Sequence, residues 1–235
     1  TVGMSTIAGS VMVIYTTMLS PTYGLGLIGH FLTASLISVP AGIMYANMMI
    51  PSDTKTDFPA DDSSKMYSST MDALTRGTQA GIDIFLNVAA MLIVVMALVF
   101  LVNATLGVLP DVQGQPLTME RIVGWIFAPL AWCMGIPWQE SQTAGELLGV
   151  KTILNEFVAY IYLADTTNYV LSEKSSLIML YALCGFANFS SVGILLSGMS
   201  AMVPERREDL IAVSVKALWA ALLASCMTGF VVGIL

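Results

Sequence analysis

Charge is scarce in this 235-residue chain: Asp, Glu, Lys and Arg together make up 11% of it, against about 25% in soluble domains. That shortage, with 56% apolar residues and a mean hydropathy of +0.79, excludes an ordinary soluble domain and identifies a membrane protein. Positive charge is scarcer still, with 9 Lys and Arg against 16 Asp and Glu. No basic field exists to hold nucleic acid or to make attraction to anionic lipid dominant. There is a single histidine, His30, and no His-x-x-His or Asp-x-x-Asp grouping, which leaves metal-centred and acid–base catalysis without their usual residues. Cys133, Cys184 and Cys226 lie in apolar segments without ligand or disulfide spacing and read as small packing residues. The sequence does not begin with Met and shows no signal peptide, so it is expected to be the C-terminal part of a longer protein.

Long apolar runs are what the chain has instead. Those at 2–19, 26–50, 82–109, 175–203 and 210–235 reach or approach the roughly 20 residues that cross a bilayer as a helix. Shorter apolar pieces at 122–136 and 144–163 carry a proline or charges. The expected fold is therefore an all-α integral membrane protein that packs in the lipid bilayer.

The basic residues orient it. Lys55, Lys65 and Arg76 share the loop 51–81, and Arg206 and Arg207 separate the last two runs, so both loops are expected on the cytoplasmic side. Segment 110–118 has no Lys or Arg and suits the outer face. Everything between 110 and 174 must then start and finish outside, with Lys174 as an exception. A re-entrant hairpin over 144–174 with its tip near 155–159 satisfies that count, and its backbone must line a cavity. Segment 121–136, with Trp125 and Trp132, is expected along the interface as part of an external region 110–143. The acidic stretch 51–68 reads as a loop, and 70–81 as a short amphipathic helix leading into the span 82–109.

Polar residues inside apolar runs mark the candidate site. Lys151, Asn155 and Glu156 fall in 144–163, where ionisable groups cost several kcal/mol and point to a substrate or ion site. A carboxylate beside Asn155 can accept charge-assisted bonds from substrate hydroxyls; the plainer alternative is an ion pair of Glu156 with Lys151. Asn188 and Ser191 interrupt the run 175–203 and, three apart, share a helix face; packing by interhelical hydrogen bonds is the alternative. Phe186 and Phe189 flank them. Thr6, Ser10 and the carbonyls near Gly9 could take a cation if the first run is unwound there. Asn103 and Asn188 match a glycosylation pattern, discounted because both lie in or at the end of a span. Two broken apolar helices together suggest a transporter core.

The string Gly-Val-Lys-Thr-Ile-Leu-Asn-Glu-Phe-Val-Ala-Tyr at 149–160 resembles the signature of the concentrative nucleoside transporters. Gly-Phe-Ala-Asn-Phe-Ser-Ser at 185–191 and Thr-Ile-Ala-Gly-Ser-Val at 6–11 resemble two further diagnostic segments, in family order. The resemblance implies a homotrimeric symporter that imports nucleosides by alternating access with Na⁺ or H⁺ as coupling ion, in a bacterial inner (plasma) membrane, and not an enzyme. It implies that Glu156, Asn188 and Ser191 hold the ribose, that Phe186 packs beside the nucleoside, and that Val11 meets the base; Asn155, adjacent to Glu156, is counted with the substrate-binding residues from its position. Thr6 and Ile7 would supply oxygens to a partial sodium site. It also implies a division into a first part of the transport domain (1–50), a cytoplasmic loop and interfacial helix (51–81), a scaffold and trimerisation helix (82–109), and the broken helix with the last span of the transport domain (175–235). The family's first hairpin, with a Gly-Gln-Thr-Glu-Ala-Pro type motif, is not in this sequence. An intramembrane enzyme acting on a lipid-linked substrate and a passive pore stay open as alternatives.

Overall fold

A computed structural model describes residues 1–24, 26–51, 68–112, 114 and 116–235. The expected loop at 51–68, with Lys55 and Lys65, lies almost wholly outside the described residues. The elements in order are α1 (Val2–Ser5), α2 (Gly9–Tyr23), α3 (Leu27–Met49), α4 (Thr70–Leu106), α5 (Met119–Cys133), α6 (Trp138–Ile153), α7 (Glu156–Ala164), α8 (Glu173–Ala182), α9 (Phe189–Met202), a 3-10 turn (Pro204–Arg206) and α10 (Arg207–Ile234). By length and composition Val2–Tyr23, Leu27–Met49 and Arg207–Ile234 are candidate membrane spans. The protein is an all-helical integral membrane protein.

Two of the apolar runs are broken where polar or small residues interrupt them. The first stops at Thr6, whose backbone is extended, and resumes after an extended Ala8. The run 175–203 stops at Ala182 and resumes at Phe189. Between these halves Gly185 takes a positive φ of 135°, and a Cβ there would sit 2.8 Å from the Ser5 carbonyl oxygen. Only glycine meets both conditions, and through it the break after α8 abuts the end of α1.

The sequence predicts a hairpin over 144–174 with its tip near 155–159. The chain does break there, between α6 and α7, but the sharp turn comes earlier: α5 and α6 are bent by 119° across 134–137. Segment 121–136 accordingly forms one arm of a packed pair. Trp125 and Trp132 are exposed as an interfacial helix requires, whereas Gly124, Phe127, Ala128 and Ala131 are buried. A Cβ at Gly145 of α6 would collide with the Gly124 carbonyl and approach the Ala128 nitrogen to 2.8 Å. The two backbones thus touch in the small-residue manner of membrane helices.

The expected amphipathic helix at 70–81 and the span at 82–109 are one continuous helix, α4, of 37 residues. Ser69 caps its start by accepting from the Asp72 amide. Phe85, Ile93 and Phe100 on it are exposed. Near its end Asn103 donates to the Glu120 carboxylate at 2.9 Å and accepts from the Met119 amide at 2.8 Å. Both polar ends of that side chain are therefore used.

Candidate functional site

Glu156 is the first residue of α7 and is 4% exposed. Position and burial have a shared cause. Asn155 is extended and caps α7 by accepting from the Val158 amide at 2.9 Å, so the helix starts inside the protein and its positive end falls on the Glu156 carboxylate. Tyr15 of α2 donates its hydroxyl to Oε1 at 2.8 Å, and the Asn188 amide donates to Oε2 at 2.9 Å. Three separate elements thus converge on one buried anion. The Asn155 amide nitrogen beside it is buried and, among the described residues, has no partner.

Asn188 is held by its own helix. Its Oδ1 accepts from the Ser191 amide at 2.8 Å and from the Ser190 hydroxyl at 2.9 Å, while the Ser191 hydroxyl accepts from the Asn188 amide at 3.2 Å. That reciprocal capping box fixes the start of α9. The Ser191 hydroxyl also donates to the carbonyls of Phe186 and Asn188. Ser190 donates to the Leu154 carbonyl at 3.4 Å, tying the start of α9 to the residue before Asn155.

The ion-pair alternative for Lys151 fails. Its ammonium group is fully buried and donates to the Ala182 carbonyl at 2.8 Å and the Ser225 hydroxyl at 2.7 Å, not to Glu156.

The structure brings Glu156, Asn155, Asn188 and Ser191 together and leaves Thr6 and Ile7 apart from them. Thr6 donates back to the Val2 carbonyl at 3.2 Å, and the Ile7 amide donates to Ser35 at 3.4 Å. Val11 and Phe186 are half-buried against the core, and Val11 lies one turn before Tyr15 on the same face of α2. Phe189 is exposed. His30 pairs with the Tyr181 hydroxyl at 2.9 Å. Among the described residues no three His, Cys, Asp or Glu side chains converge as a metal site. A cation here would be taken by hydroxyls and by the carbonyls of a broken helix.

The sequence gives no role to Tyr15, and Ser190 enters it only within the motif at 185–191. Tyr15 carried a usable signal, since a phenol hydroxyl in an apolar span needs a partner when buried. It packs in an aromatic cluster with Tyr160, ring centroids 4.7 Å apart, and Phe31 at 6.2 Å. Past the end of α7 the polarity reverses: the Thr167 hydroxyl and the Asn168 amide hold the exposed Asp165 carboxyl down to about 2. The loop between α7 and α8 therefore carries a fixed negative charge that belongs in water. A groove of about 330 Å³ bordered by Met4, Ile50, Leu195 and Ala217 lies elsewhere, with none of Glu156, Asn155, Asn188 or Ser191 in its lining.

The sequence model described as "Na+ dependent nucleoside transporter C-terminus" matches residues 30–233. The transporter YutK of Bacillus subtilis is 36% identical over 239 residues, covering 99% of this chain and 57% of that protein. The nucleoside permease NupC of Helicobacter pylori is 34% identical over 99% of this chain and 56% of its own length, and human solute carrier family 28 member 3 is 35% identical over 100% and 36%. The chain thus spans little more than half of its bacterial relatives. A solved structure of CNTnw in an inward-facing substrate-bound state superposes with a TM-score of 0.81 at 33% identity, over 99% of this chain and 55% of that one. These relatives are transporters and not enzymes. The three motif segments, the broken helices they form and the match over 30–233 agree, and the chain belongs to the Na⁺-dependent, concentrative nucleoside transporter family, in the part that forms its C-terminal region.

Proposed function

We propose that the complete protein is a cation-coupled symporter that imports nucleosides, and that this chain supplies the ribose-binding half of its site. The observation that carries this reading is the buried Glu156 carboxylate, bonded by Tyr15 and Asn188 at the start of two half-helices, with the unpartnered Asn155 amide beside it. A vicinal diol fits that donor and acceptor set. Its hydroxyls donate to the carboxylate, in bonds roughly twice as strong as neutral ones, and accept from the amides of Asn155 and Asn188. Ser191 contributes by holding Asn188 in place as well as by its own hydroxyl. Phe186 and Val11 would then flank the base, and relatives bearing nucleoside permease and solute carrier 28 names support that ligand class.

The coupling ion in this reading is Na⁺, the ion in the family's description, with H⁺ the other candidate. Its oxygens on this side come from the break at Thr6 and Ile7. The bent pair of α5 and α6 serves as the re-entrant element, α4 as the helix on which a homotrimer assembles, and the bacterial inner membrane as the site of action. Transport proceeds by alternating access, with no covalent step.

Radiolabelled uridine uptake by the complete protein in proteoliposomes tests this, with a Na⁺ gradient, a proton gradient or neither. Accumulation above the external concentration under one gradient, reduced about 100-fold in Glu156→Gln, is the expected result, since loss of bonds to a charged group is worth about 1.5–3 kcal/mol. Uptake that only equilibrates would return the passive-pore reading. Undiminished accumulation by Glu156→Gln would remove the site from this part of the chain.

A further inference from the structure

The transport reading leaves Lys151 without a role, although it is a cation with no exposed surface at all. One of its partners, the Ala182 carbonyl, lies at the end of α8, where a helix that stops inside a membrane protein leaves its last carbonyls without intrahelical donors. Successive carbonyls there are each met by a side chain from a different place. The Tyr160 hydroxyl of α7 donates to Leu180 at 2.9 Å, the Thr228 hydroxyl of α10 shares its proton between Tyr181 at 3.0 Å and the Ser225 carbonyl of its own helix at 2.7 Å, and the Lys151 ammonium of α6 donates to Ala182 at 2.8 Å. Ser225 of α10 anchors the same ammonium at 2.7 Å while donating its own proton to Leu222. A positive charge at a helix C-terminus is favoured by the helix dipole, more so when partly buried.

Position gives this clamp its meaning. Lys151 lies on α6 five residues before Glu156, and Ala182 precedes Asn188 by six. The Glu156–Asn188 hydrogen bond at 2.9 Å and the Lys151–Ala182 bond at 2.8 Å therefore join the same two stretches of chain on either side of the break at 183–188. We propose that Lys151 is a positioning residue of the site: its ammonium holds the end of α8, and through the break at 183–188 it sets Asn188 against the Glu156 carboxylate. Tyr160 and Thr228 complete the clamp. Lys151 itself touches no substrate and carries no proton for transport.

The kinetic part of this inference rests on the nucleoside-transport reading; the structural part does not. The test uses the complete protein, with Lys151→Met, and with Thr228→Val as a milder variant that keeps the charge. Hydrogen exchange followed by mass spectrometry is expected to rise about tenfold in the amides of 183–188 of Lys151→Met, the equivalent of about 1.4 kcal/mol, with α3 unchanged. Thr228→Val moves the same amides by less. In proteoliposomes the uridine KM of Lys151→Met rises about tenfold while the maximal rate per reconstituted protein stays within about twofold, as expected for lost binding alone. Unchanged exchange at 183–188 in both variants, or a rise spread evenly over all helices, overturns the proposal, as does a fall in maximal rate with KM unchanged. Should Lys151→Met not fold, the local response of Thr228→Val decides. Should the wild-type protein take up no uridine, the transport reading fails and the exchange result still judges the clamp.

Discussion

At the break between α8 and α9, the carbonyls of Leu180, Tyr181 and Ala182 all find side-chain donors, and the amides that open α9 find the capping box of Asn188 and Ser191. At the break between α1 and α2, no side chain caps the start of α2. Thr6 turns back to its own helix, and Ile7 reaches Ser35 through a long bond of 3.4 Å. Among the described residues no side chain donates to the Met4 or Ser5 carbonyls, which face Gly185. Both breaks interrupt an apolar run, yet one is finished by the protein and the other has polar backbone to spare. Since unmet backbone groups inside a bilayer cost several kcal/mol each, the unfinished break is where an ion or another segment of the complete protein has most to gain. In the proposed site, the finished break is the one that supplies Asn188, and a fixed geometry there suits reading a ligand.

The largest test of that contrast is Asn188→Ala, which removes both the α9 cap, worth about 1 kcal/mol, and a bond to a buried carboxylate worth about 1.5–3 kcal/mol. Uridine affinity measured by titration calorimetry on the complete protein should weaken by roughly 100-fold. A shift under about threefold would mean that the finished break is structural only. Tyr15→Phe comes next. It keeps the aromatic packing with Phe31 and Tyr160 but leaves Oε1 of Glu156 one donor short, and the uridine KM should rise about tenfold. An unchanged KM would show that Tyr15 gives way to substrate without cost. The smallest effect is expected from Ala8→Ser at the unfinished break, where a hydroxyl can cap the exposed amides of α2. That should add about 1 kcal/mol and raise the melting temperature by about 2–4 °C. If melting does not move, the start of α2 already has partners and the contrast between the breaks dissolves.

Glu156 and Asn188 were legible because a charge or a carboxamide inside an apolar run contradicts its surroundings. The breaks were legible for the same reason. Tyr15 was not, because tyrosine is at home among apolar residues and its hydroxyl partner lies 141 positions away. Lys151 was visible as an anomaly, but its partner is a backbone carbonyl, and nothing in a residue's identity says which carbonyl is orphaned until the end of α8 is known. The 119° turn was signalled by Gly-Ile-Pro at 135–137, with Gly135 at a φ of 96°. The sequence reading gave more weight to the tryptophans, which report the outer face of α5 and say nothing of its inner one. Close contact of Gly124 with Gly145 needs both helices in hand before either glycine has a meaning.

The length of α4 has a mechanical consequence. Its 37 residues make a rod of about 55 Å, longer than a hydrocarbon layer of roughly 30 Å is thick, so it fits within such a layer only at a steep tilt. Its first turns carry the ion pair of Asp72 with Arg76 at 2.8 Å, and the polar tie of Asn103 to Glu120 and Met119 fastens the opposite end. A rod tied by side chains near one end and carrying its charged pair near the other is the part of this molecule whose orientation length alone does not dictate.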